Sequence, residues 1–124
     1  MWPHGIHVDR QGNVWVTDAR APSADDIKNF PGEDRKGSVV VKFSPEGKIL
    51  MTLGKPGVRG NPPEALTDPT DVVTDPANGD VYVAESHTDV ADPNPVSYTH
   101  LKRAQPQMTE RSPNVATNSL KSWA

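Results

Sequence analysis

The sequence repeats itself, and the repeat is its strongest constraint. The stretch PHGIHVDRQGNVWVTD, opening at Pro3, lines up with PTDVVTDPANGDVYVAE, opening at Pro69. Each reads as a proline, three or four strand residues, an aspartate, a glycine-bearing turn, Val–aromatic–Val, a small residue and an acid. Two copies of one unit, 66 residues apart, confine the chain to folds that stack a supersecondary unit on its neighbours.

Inside the first unit, GIHVD and VWVTD flank the turn RQGN and read as a β-hairpin. VVVKF and KILMTL flank a second turn, so four strands are expected at 5–9, 14–17, 39–43 and 48–53. A four-stranded unit that starts again at Pro69 is the pattern of a β-propeller. The repeat exceeds the usual blade period of roughly 40–50 residues. The polar, aperiodic stretch 19–37 reads as an inserted surface loop that accounts for the excess.

Composition agrees with short strands. Thirteen prolines and nine glycines among 124 residues exclude long helices. With no cysteine there is no disulfide framework and no thiolate chemistry. The net charge of −3 gives no electrostatic reason to expect nucleic acid, and no apolar run reaches the roughly 20 residues of a membrane span. Residues 1–95 carry nine basic and fifteen acidic side chains, whereas residues 96–124 carry four and one.

The domain organisation follows: a partial propeller over 1–89, with a blade at 3–54, the insertion at 19–37 and the next blade opening at 69–86. Residues 90–124 have neither the two-residue nor the 3.6-residue period and read as an irregular, disordered tail. The words PVSYTHL resemble translated adapter read-through, so the sequence from about residue 96 is expected to be non-native. One and a half blades leave open sheet edges and an uncovered face, so the chain is expected to be a propeller fragment of marginal stability.

The motifs PHG followed by an apolar residue, GN-V-WVTD, the LG after the fourth strand and PTDV opening the next blade resemble the NHL-repeat β-propellers. Within these, the resemblance is to the peptidyl-α-hydroxyglycine α-amidating lyase family, over about residues 3–88. It implies an all-β fold of six NHL-type, four-stranded antiparallel blades in a secreted or periplasmic parent. It also implies a zinc ion held by three histidines, each from a "P-H" opening a blade, and a central structural calcium. His4 falls on the first such "P-H", and the backbone carbonyl of Ile6 on a calcium ligand. Three protein ligands and an open position suit catalytic zinc. The family's active-site tyrosine has His87 in its place here, in VYVAESH.

Each residue also has a structural reading. His4 is either a metal ligand or a hydrogen-bonded strand histidine, and His87 either a site base or ligand or a plain loop residue. His7, alternating against Ile6 and Val8, is expected on the solvent side of its strand. Asp9, Asp18, Asp71 and Asp75 are expected to cap turns. Trp15 and Tyr82, in equivalent places, are expected to pack blades together. Three functions are compatible with these residues. One is a zinc-dependent lyase cleaving a carbinolamide C–N bond to give a peptide amide and glyoxylate, inactive as this piece alone. The second is a non-catalytic NHL scaffold for a peptide, small-molecule or protein ligand. The third is a gluconolactonase-like hydrolase.

Overall fold

Each hairpin of the repeat is closed by the aspartate that ends its first strand. Asp9 accepts from the backbone N–H of Gln11 and Asn13, at 3.0 and 2.9 Å, and Gly12 turns the chain at φ 82°. Asp75 does the same work in the second copy, accepting from Ala77 N–H at 2.8 Å, with Gly79 at φ 78°. An Asx side chain that bonds the backbone two residues on sets the turn, and the turn sets the strand register.

The computed structural model describes residues 2–61, 63–86, 96–103 and 120–123. The first sheet holds β1 (Pro3–Val8), β2 (Val14–Asp18), β3 (Val39–Phe43) and β4 (Ile49–Leu53), all antiparallel and in sequence order. The second holds β5 (Pro69–Thr74), β6 (Val81–Ser86), β7 (Val96–Arg103) and β8 (Leu120–Trp123). β5, β6 and β7 pair antiparallel, whereas β8 joins β7 parallel. Among the described residues the fold is therefore nearly all β, as two blade-like sheets. Residues 96–103, which show no strand period in sequence, pair along β6 from Val96↔Ser86 to Leu101↔Val81.

The insertion is not an aperiodic loop throughout. It holds α1 (Ala24–Asn29) and a 3-10 turn at Glu33–Arg35. Ser23 caps α1 in a capping box: Asp26 N–H donates to Ser23 Oγ at 3.1 Å, and Ser23 N–H donates to Asp26 Oδ2 at 2.9 Å. Two otherwise orphaned amides are satisfied within four residues, so six residues of helix form in a polar segment.

The core lies between the sheets. The register Thr17↔Val40↔Leu53 puts these three on one face of the first sheet, with Trp15 one step along the same face. Leu66 joins them from the connection between sheets. They meet Val72, Val81, Val83 and Leu101 of the second sheet, all buried. The other face of the first sheet carries Ile6, Val8 and Leu50, which are exposed.

Both opening strands share one irregularity. Between the pairs Pro3↔Asp18 and Ile6↔Val16, His4 and Gly5 stand opposite Thr17 alone. Between Pro69↔Glu85 and Val72↔Val83, Thr70 and Asp71 stand opposite Ala84. This is a β-bulge repeated at the same place in each copy.

Candidate functional site

The bulge of β1 lies against the bulge of β5. A Cβ built on Gly5 would come within 2.6 Å of the Thr70 carbonyl oxygen and 2.9 Å of Asp71 Oδ1, so only glycine allows the two strands this close. Gly5 N–H donates to Thr17 Oγ1 at 2.7 Å, and that hydroxyl donates onward to the Thr70 carbonyl at 3.3 Å.

His4 reaches the same carbonyl, with Nδ1 at 2.8 Å from it. A carbonyl only accepts, so Nδ1 carries the proton and Nε2 of the neutral ring carries the lone pair. His4 is exposed at the opening of the blade, and its Nε2 has no part in the bond to the Thr70 carbonyl. A metal-bound histidine is commonly oriented this way, by its second ring nitrogen on a backbone carbonyl. His4 thus fits as one ligand. Among the described residues, no group of three His, Asp or Glu side chains is close enough to hold a metal ion. His87 lies outside the described residues. The Ile6 side chain is exposed beside the bulge, in register with Val16.

His7 is placed differently from its expected solvent-side position. It is half-buried between the sheets, where its Nε2 accepts from Thr74 N–H at 3.2 Å and lies 2.8 Å from Thr74 Oγ1. It shares a face with Trp15, its cross-strand partner, while Ile6 and Val8 occupy the open face. The physical reason is that alternation separates the two faces of a strand without telling which one a neighbouring sheet covers, and the second sheet covers the face of His7.

Asp9 and Asp75 cap their turns as expected, whereas Asp18 and Asp71 do not. Asp18 ties distant backbone amides to the end of β2, and Asp71 bonds its neighbour within β5. Burial pushes the Asp9 carboxyl up, but donation from Trp15 Nε1, the Asn13 side chain and the Asn13 and Gln11 amides outweighs it and lowers the pKa to about 2. Lys42 Nζ stands 3.5 Å from the same carboxylate and 5.0 Å over the Trp15 ring. Asp18 is buried, accepting from Trp2 N–H and, at 3.0 Å, from Gly37 N–H. Its counterpart Glu85 accepts from Thr67 N–H and, at 2.6 Å, from Thr99 Oγ1. Asp71 accepts from Val72 N–H at 2.8 Å. Sequence reasoning missed the Thr70 carbonyl, because a backbone partner carries no side-chain signature. The helix of the insertion did have one, in the Ser23-x-x-Asp26 spacing.

Two stacked antiparallel hairpin units with converging opening strands define the class: an all-β chain built as part of a β-propeller. Over 68% of its length the chain is similar to the peptidylglycine α-amidating monooxygenases. It is 31% identical over 86 residues to form B of Xenopus laevis, 33% over 85 residues to the protein of Mus musculus, and 30% over 87 residues to that of Rattus norvegicus. It spans only 7–8% of the length of these relatives. No protein-family model matches the chain.

Proposed function

We propose that this chain supplies one blade and the opening of the next to a six-bladed NHL-type propeller with peptidyl-α-hydroxyglycine α-amidating lyase activity. The observation that carries the reading is His4. Its Nδ1 is held on the Thr70 carbonyl at a blade opening, which leaves Nε2 for a metal, in a chain similar to amidating monooxygenases. His4 would be one of three zinc-binding histidines, and the Ile6 carbonyl would serve a structural calcium. Zinc, when bound, supplies Lewis acidity at the substrate hydroxyl.

The reaction breaks the C–N bond of the hydroxyglycine carbinolamide. A base takes the hydroxyl proton, the carbon becomes the aldehyde of glyoxylate, and the departing nitrogen gains a proton to give the peptide amide. His87, in the place of the family tyrosine, is the candidate for that base. The described residues complete no metal site, so this chain alone is expected to show no activity. On this reading the parent would be secreted or periplasmic, as the family resemblance implies.

One observation favours a second reading. His4 already serves as a strut between β1 and β5, which suits a non-catalytic NHL scaffold as well. The two separate in the complete propeller. The lyase reading expects about one zinc per chain and glyoxylate release from a peptidyl-α-hydroxyglycine, both falling at least about 100-fold in His4→Ala. A propeller purified without chelators that holds no zinc and releases no glyoxylate sinks the lyase reading and leaves the scaffold.

A further inference from the structure

The insertion builds a cleft at the end of the first sheet where His4 lies. Trp2 extends the β1–β2 pairing there: its carbonyl accepts from Ala19 N–H at 2.9 Å, and its N–H donates to the Asp18 side-chain carboxylate. Two residues of strand, about 7 Å, separate Trp2 from His4. Arg20, Pro22 and Phe30 of the insertion face Trp2 across a cleft of about 230 Å³.

The insertion is held as a fixed body. Gly37 N–H is bound by Asp18 Oδ2, and its carbonyl accepts from Gly57 N–H at 2.9 Å. A Cβ on Gly37 would overlap the Arg20 carbonyl, and one on Gly57 would overlap that of Asp34, so both ends of the loop are seated on glycine. The capping box fixes α1, and Arg20 binds Asp26 at 2.7 Å while its guanidinium sits 4.5 Å over the Trp2 ring. Long ordered loops of this kind are commonly functional.

Within the cleft Arg20 pairs with Asp26 and Lys36 with Glu33. What remains on offer is aromatic: Trp2 is 52% and Phe30 63% exposed, in a chain with only seven aromatic residues. Two exposed rings lining one cleft suit an apolar planar group. The volume lies below the roughly 300–1,000 Å³ of drug-sized ligand pockets, which suits a single side chain.

We propose that this cleft is a specificity subsite that receives one aromatic side chain of a peptide. That the ligand is a peptide rests on the lyase reading, in which the cleft would select a residue upstream of the hydroxyglycine.

The test follows the Trp2 indole N–H resonance of the ¹⁵N-labelled chain during titration with N-acetylphenylalanine methylamide and N-acetylalanine methylamide. The phenylalanine probe is expected to shift it saturably and to bind at least about tenfold more tightly than the alanine probe. Phe30→Ala, a truncation outside the core, is expected to weaken the phenylalanine probe at least about fivefold while leaving the Val72 and Val83 methyl resonances in place. Equal binding of the two probes overturns the proposal, as does wild-type affinity in Phe30→Ala. Neither probe contains hydroxyglycine and neither measurement needs zinc. The lyase reading can therefore fail while the subsite stands, and the reverse.

Discussion

Ile6 and Val72 hold the same place in two copies of one unit, yet Ile6 is 71% exposed and Val72 1%. Trp15 and Tyr82 form a second such pair, at 2% and 38%. In each pair the local pairing is alike, and the difference is whether another sheet lies across that face. The first sheet covers Val72, and the second covers Trp15. Among the described residues nothing covers Ile6, and Tyr82 stacks on His100, with ring centroids 4.3 Å apart. Burial in this molecule is therefore a property of the junction between units rather than of a unit, as expected where stability is a sum of neighbour terms.

The sharpest way to break that comparison is to truncate both aromatics. Trp15→Ala is expected to cost about 3–5 kcal/mol, against about 1 kcal/mol or less for Tyr82→Ala, read from urea midpoints. Equal losses would mean that the sheets do not stack as described.

Next in size is the contact between bulges. Gly5→Ala places a methyl against the unyielding Thr70 carbonyl and is expected to cost about 3 kcal/mol. The equivalent Asp71 is exposed, and Asp71→Ala is expected to cost little more than its one hydrogen bond to Val72 N–H, about 1 kcal/mol.

The smallest effect is a titration. The folded carboxyl of Asp9 is depressed to about 2, below its ordinary 3.8. Its contribution is present above pH 4 and is lost as the pH falls toward 2, by about 2 kcal/mol. Asp9→Asn should flatten the stability profile in that window, as followed by circular dichroism, and an unchanged acid limb would contradict the assignment.

Much of the fold was legible because the repeat carries its own punctuation. β3 matches its expected bounds, and the hairpin turns fall where Asp9 and Asp75 precede their glycines. What stayed illegible shares one cause. Periodicity says that alternate residues differ in face, but not which face a neighbouring sheet covers, so His7 was expected in solvent and lies between sheets. The strand at 96–103 gave no period, and its place is set by pairing with β6. For the candidate site, the resemblance to the lyase family pointed to His4. The tautomer that presents Nε2 depends on a carbonyl 66 residues away, which no local pattern encodes.

The repeated bulge has a wider consequence. A residue inserted opposite a single partner is excused from the pairing that fixes every other position of the strand. His4 and Thr70 occupy that excused slot in successive units, beside strands whose register is otherwise the same. Each unit thus carries one interchangeable position at its opening, where a side chain can be exchanged without disturbing the scaffold. A ring of such units could change its chemistry slot by slot while its architecture stays constant.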